Sequence, residues 1–396
     1  MLALRTLDNI DVADKRVLLR VDLNVPLRGG DVTDATRIGR ILPTLREITS
    51  KGGKVILLSH FGRPRGRDPE SSLRPIAAAV ASALRLPVAF CEDCIGREVR
   101  HAISKLTTGT VLLLENTRFY PEEERNDPLF AQALAGNGDL FVSDAFSAAH
   151  RAHASTVGLA HVLPAYAGRA MQAEIEALQT ALEKPERPVT ALIGGSKIST
   201  KLPILKNLIG RVDNLIIGGA MASTFLLANG ASVGQSLVER DLAGSARELL
   251  SLAQAGDCKI VLPLDAVCAR ELRSCAQTAT FPACRIPDDH MVLDVGPRSQ
   301  DLFSSIIASS RTLLWNGPLG AFETPPFDQG TFALAQYVAE LTQSGKLTTV
   351  AGGGDTIAAL NAAGVTERFT HASTAGGAFL EWLEGRTLAG VAVLMR

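Results

Sequence analysis

The chain has 396 residues, 46% of them hydrophobic, and a formal net charge of -1. That length exceeds one ordinary domain and is ample for buried cores, so two domains of α/β type are expected. Near-balanced charge removes the electrostatic argument for a nucleic acid or an anionic membrane surface as partner. The N-terminal stretch meets Asp8 and Asp11 too early for a signal peptide, and no run of about 18 apolar residues suggests a membrane span, so a cytoplasmic protein is expected.

In chain order the sequence repeats one pattern: a short apolar run, a loop rich in Gly, Asp, Asn or Arg, then an Ala/Leu-rich helix. The runs VLLRV, KVILLS, TVLLLE, DLFVSD, TALIGG, NLIIGG, KIVLPL, TLLWNG and TTVAGG are continuous and mostly β-branched or leucine, as strands buried on both faces are. Two doubly wound, Rossmann-like parallel sheets follow, one in each half. The charged run PEEERNDP at 121–128 reads as a solvated helix start, with Pro121 in the first turn and glutamates behind it. At 171–188 a strongly helical stretch runs into two prolines, which predicts a connecting helix and hinge there. Domains are expected at 1–170 and 189–379.

The cysteines carry little. Cys91 and Cys94 form a C-x-x-C without the second pair a structural zinc site needs, so reduced thiols are expected. His150 and His153 flank Arg151, whose charge would repel a cation, and they read as a polar loop.

In an open α/β sheet, ligands gather outside the carboxyl ends of the strands. In the first half the residues there are RVDLNVP, SHFGRP, ENTRFYP and DAFSAAHRAH, with DATRIGR soon after the first. They bring Arg37, Arg63, Arg118 and Arg151 to strand ends, a set of planar donor forks suited to a small polyanion. The second half offers glycine instead, in IGGSKISTK, IGGAMAST, WNGPLGAFE, AGGGDT and STAGGAF. Glycine lets the backbone approach a phosphate, and the helix that starts there aims free N–H groups at it. A nucleotide is therefore expected, with Asp355 available to a magnesium ion. Lys197 and Lys201, four apart, are expected on one face of the helix opening after Gly195. There is no P-loop: SGKLT at 344–348 has leucine after its lysine and Glu340 at the first glycine position. No G-x-G-x-x-G opens a helix after a strand either.

These motifs resemble the phosphoglycerate kinase family, in the family's order and nearly from end to end: RVDLNVP, SHFGRP, LLLENTRF, DAFSAAHRAH, GGSKISTK, LPLD, DVGP, WNGPLGAFE, GGGDT and STAGGAFLEWLEG. The resemblance implies Mg2+-dependent, reversible phosphoryl transfer from 1,3-bisphosphoglycerate to ADP, giving 3-phosphoglycerate and ATP. It implies two domains facing a cleft, with segment 380–396 packing back on the first, and a monomer. It assigns phosphoglycerate to Asp22, Leu23, Asn24, Arg37, His60, Phe61, Gly62, Arg63, Arg118 and Arg151. The nucleotide falls to Gly195, Lys197, Lys201, Gly219, Asn316, Glu323, Gly353, Gly354, Asp355 and Thr356, with Glu323 on the ribose and Asp355 at the metal. Arg37, Lys197 and Lys201 take the catalytic role of meeting charge on the moving phosphoryl group. Ala375 stands where the family often has a third glycine, and Ser196 and Ala220 occupy variable positions.

Overall fold

The computed structural model describes residues 4–8 and 10–395. They form two compact units, one built from the chain up to Ile175 together with Thr387 onward, the other from Glu176–Arg386. No helix among the described residues is long and apolar enough to cross a membrane.

The sheet of the first unit contains β1 (Arg16–Arg20), β2 (Lys54–Leu58), β3 (Val88–Cys91), β4 (Val111–Leu114), β5 (Leu140–Ser143) and β6 (Ala165–Ala167). Their order is β3-β4-β2-β1-β5-β6, parallel throughout. Helices cover both faces of such a sheet, which is why the interiors of β1, β2, β4 and β5 read as apolar runs. The helix Thr36–Ser50 buries Ile38, Ile41, Leu45 and Ile48, spaced by three and four, against a core shared with Val17, Leu19, Val55 and Leu57. The order in which strands are added reverses between β1 and β5, so the loops after these two strands open the crevice in which a ligand can lie.

The second unit contains β7 (Val189–Ile193), β8 (Asn214–Ile217), β9 (Lys259–Val261), β10 (Asp265–Ala269), β11 (Ala279–Pro282), β12 (Met291–Val295), β13 (Thr312–Asn316), β14 (Thr348–Gly352) and β15 (His371–Ser373). Six of them form a parallel sheet in the order β9-β8-β7-β13-β14-β15, the doubly wound arrangement, with its switch point between β7 and β13. The other three form a small antiparallel sheet, β11-β10-β12, which the sequence pattern does not announce.

The predicted connector is the helix Arg169–Leu182, and the division into units falls inside it, after Ile175. Its first turn is held by Asp144, whose Oδ1 accepts from Met171 N at 3.0 Å. The helix Gly376–Leu383 belongs to the second unit, and the residues from Thr387 return to the first, where Gly390 N donates to Ala149 O at 2.8 Å.

Candidate functional sites

In the first unit the loops beyond β1, β2, β4 and β5 interlock through their own polar groups. Asp22 sits two residues past β1, and its Oδ1 accepts from Asn24 N at 3.0 Å, a turn that Asp favours. Its Oδ2 accepts from Arg37 at 2.6 Å and from Ser147 Oγ at 2.5 Å. Burial alone would raise the Asp22 pKa, but the Arg37 charge and these hydrogen bonds overcome it and hold the carboxyl below its usual range. Asn24 Oδ1 accepts from Gly62 N at 2.9 Å, and Gly62 O accepts from Arg118 at 2.7 Å, so three loops are tied in series.

Arg118 also lies 3.1 Å from Glu124, while Arg151 donates to His150 Nε2 at 3.0 Å. Arg63 is exposed and has no ion-pair partner among the described residues. The Arg118 pKa is lowered first by burial and then by the charges of Arg151 and Arg63, so these guanidiniums lie within electrostatic range of one another. The structure thus brings Arg63, Arg118 and Arg151 near one another, with Arg37 held by Asp22 on the loop after β1. Leu23 is different: its side chain is fully buried and its N–H is taken by Ser59 Oγ at 3.0 Å, which makes it a core anchor of the loop. Phe61 packs against the same core. Its backbone is clasped by Asn116, whose Oδ1 accepts from Phe61 N at 3.2 Å and whose Nδ2 donates to Phe61 O at 2.7 Å.

Two charges of this unit that have no exposed surface escaped the sequence reading. Arg20 ends β1 with no exposed surface. Glu123, expected to be solvated in its charged run, is also fully buried, because Ser155 donates to it through both N and Oγ.

In the second unit the predicted loops meet at the switch point. Gly194 N donates to Asn316 O at 2.9 Å and Met221 N to Gly195 O at 3.0 Å, which joins the ends of β7, β8 and β13. Gly219 has φ +66°, and a Cβ on it would stand 2.5 Å from Gly195 O, so only glycine fits this crossing. Gly353, with φ +102°, caps the helix Gly354–Ala362. A side chain there would collide with Asn316 Nδ2, 2.5 Å from the Cβ position. Thr356 Oγ1 accepts from Gly317 N at 2.7 Å and donates to Gly352 O at 2.8 Å, fixing that turn from beneath. Gly354 and Asp355 are left exposed, with the helix N–H groups beside a free carboxylate.

The predicted lysine pair separates. The helix begins only at Leu202, so Lys197 lies in the preceding loop and Lys201 at the cap, and the two do not share a helical face. Ser199 N, bound to Glu239 at 2.9 Å, and the φ of +122° at Gly195 keep that stretch from winding. Lys197 is exposed, whereas Lys201 reaches inward to donate to Asn316 Oδ1. Burial lowers the Lys201 pKa to about 8, against a smaller opposing pull from Asp355. Asn316 Nδ2 in turn donates to Gly352 O at 2.6 Å, so Lys201, β13 and the Gly353 turn act as one piece. Glu323 is exposed on the loop beyond β13 and has no ion-pair partner among the described residues.

One unit thus displays an arginine surface, and the other a glycine-lined helix start with an inward lysine and a carboxylate. Backbone amides and fixed cations of this kind are what an α/β phosphotransferase offers to phosphate. Sequence comparison is specific about which one. The phosphoglycerate kinase family profile matches residues 7–386. Phosphoglycerate kinase of Rhodopseudomonas palustris is 57% identical over 390 residues, covering 98% of both chains, and that of Xanthobacter flavus is 57% identical over 397 residues, covering 100% of both. The solved phosphoglycerate kinase of Coxiella burnetii superposes with a TM-score of 0.92 at 38% identity, covering 99% of each chain. That of Pyrococcus horikoshii OT3 gives 0.82 at 29% identity, covering 98% of each. The chain belongs to the phosphoglycerate kinase family, enzymes that transfer a phosphoryl group to and from a carboxyl group in glycolysis.

Proposed function

We propose that the first unit binds 3-phosphoglycerate or 1,3-bisphosphoglycerate through Arg37, Arg63, Arg118, Arg151 and His60, with Asp22, Asn24 and the Phe61–Gly62 backbone shaping the loops. The second unit takes ADP or ATP at Gly195, Gly219 and the turn Gly353, Gly354, Asp355 and Thr356, with Glu323 on the ribose and Asn316 holding Lys201. The observation that carries this reading is the segregation itself: guanidiniums at the strand ends of one sheet, positive-φ glycines at those of the other.

The chemistry suits such a site. A carboxylate nucleophile is ionised at neutral pH and needs no general base, so positioning and charge neutralisation dominate. Arg37, Lys197 and Lys201 supply the neutralising charge in this account. Among the described residues no group of three His, Cys, Asp or Glu side chains could hold a metal by itself. A magnesium ion bound through one exposed carboxylate, Asp355, and through phosphate oxygens fits that donor set, since Mg2+ commonly keeps few protein ligands. When bound, it would draw negative charge off the phosphates. The helix Arg169–Leu182 serves as connector and hinge, the substrates being soluble metabolites of a cytoplasmic, monomeric enzyme.

Calorimetric titration of ADP with and without Mg2+, in the wild type and in Asp355→Asn, tests the metal assignment. Tighter binding with Mg2+ in the wild type, and loss of most of that gain in the variant, is expected. An identical Mg2+ effect in both proteins would remove Asp355 from the metal site.

A further inference from the structure

Beneath the arginine surface runs a chain of buried polar side chains that the reaction as described does not use. Glu123, Ser155 and Arg20 are each fully buried. Glu123 Oε2 accepts from Ser155 N at 2.9 Å and its Oε1 accepts from Ser155 Oγ at 2.5 Å. With its one hydroxyl proton committed to Glu123, Ser155 Oγ is an acceptor for Arg20 Nε, 2.8 Å away. Arg20 also donates to Val21 O, and its remaining terminal nitrogen lies 3.0 Å from His60 Nδ1.

A guanidinium has only donors, so the contact with His60 exists only if Nδ1 accepts. The single ring proton must then sit on Nε2. A proton on Nδ1 would point at an Arg20 N–H, which makes both the other tautomer and the imidazolium incompatible with this contact. Nε2 has no hydrogen-bond partner among the described residues and is not sealed from solvent. We propose that Glu123, Ser155 and Arg20 are positioning residues that fix His60 as the neutral Nε2–H tautomer, leaving it an uncharged hydrogen-bond donor to a phosphoglycerate oxygen.

The last clause rests on the assignment of phosphoglycerate to this unit; the tautomer does not. Glu123 has a second role, since its charge compensates that of Arg20, and a lone buried guanidinium would be costly. The groups around the ring agree with a neutral imidazole. Burial first, then the charges of Arg20 and Arg118, press the His60 pKa well below its ordinary value, against an upward pull from Asp22.

Long-range 1H–15N correlation spectra of the His60 ring in the whole labelled protein test the proposal. In the wild type, Nδ1 should show the unprotonated signature and Nε2 the protonated one, unchanged between about pH 8 and pH 5.5. Ser155→Ala should introduce the other tautomer or an imidazolium titration into that range, and Ser155→Thr, which keeps the oxygen, should restore the wild-type pattern. A proton on Nδ1 in the wild type, or a ring charged at pH 6.5, would overturn the proposal even if Ser155→Ala fails to fold. A Ser155→Ala ring indistinguishable from wild type would overturn the role of Ser155 and Glu123. 3-Phosphoglycerate added to the wild-type sample should move the His60 resonances; if they stay fixed in the Nε2–H form, the substrate role is overturned while the relay stands.

Discussion

Replacing Lys201 by Met should make the free protein more stable while crippling its turnover. In the native state burial lowers the Lys201 pKa from 10.5 to about 8, so the charged ammonium is disfavoured relative to the unfolded chain. At about 1.4 kcal/mol per pKa unit, holding that charge at neutral pH costs the fold up to about 3 kcal/mol. Met keeps the apolar stem and removes the charge. It also strips Asn316 Oδ1 of its donor, which returns roughly 1–2 kcal/mol of that gain. A net stabilisation of about 1–2 kcal/mol, a rise of a few degrees in thermal midpoint, is expected at pH 7.

The pH dependence provides the sharper signature. Between the native and unfolded pKa values the unfolded chain binds more protons, so wild-type stability climbs with pH through that window. The advantage of Lys201→Met is therefore full below about pH 8 and fades as pH approaches 10.5. Thermal midpoints of both proteins from pH 7 to 10, with kcat and KM measured at pH 7, check this. Turnover should fall more than KM rises, as befits a charge that meets the transition state. A variant less stable than wild type at pH 7, or a gain that does not shrink with rising pH, would refute the assignment of a strained buried ammonium.

Burial raises the pKa of Asp144, at the start of the connecting helix, from 3.8 to about 7, against opposing hydrogen bonds from Thr44 and the helix N–H groups. The native state here holds the extra proton, so wild-type stability falls as pH rises from about 4 to 7, and Asp144→Asn should gain more over wild type at pH 8 than at pH 4.5, by about 1–3 kcal/mol; equal gains at both values in thermal melts would rule this out. Arg63→Ala should weaken 3-phosphoglycerate binding by about 1.5–3 kcal/mol, the worth of a charge-assisted hydrogen bond, and leave ADP binding nearly unchanged. Calorimetry that finds phosphoglycerate affinity unaltered would take Arg63 out of the site.

The parallel sheets were legible because strands buried on both faces have apolar interiors, as residues 17–19 of β1, 55–58 of β2, 111–114 of β4, 140–142 of β5 and 191–193 of β7 do. The candidate ligand loops were legible from where strands end, since Arg63, Arg118 and the Gly353 turn all come within a few residues of an apolar run. The order of strands was not legible, because it depends on pairings between distant segments. Nor was the β11-β10-β12 sheet, whose outer strands β11 and β12 are only partly buried. The expected helical face for Lys197 and Lys201 failed because spacing by four counts only inside a helix, and the tertiary contact from Ser199 to Glu239 delays the helix to Leu202. Glu123 and Arg20 look like an ordinary charged run and a strand residue; what buries them is Ser155, 32 residues from one and 135 from the other.

The central claim is that this chain moves a phosphoryl group between ATP and the carboxylate of 3-phosphoglycerate. Purified protein with MgATP should consume ATP when given 3-phosphoglycerate and not when given acetate or another simple carboxylate at the same concentration. ATP consumption with acetate alone, or none with any carboxylate, would contradict the account.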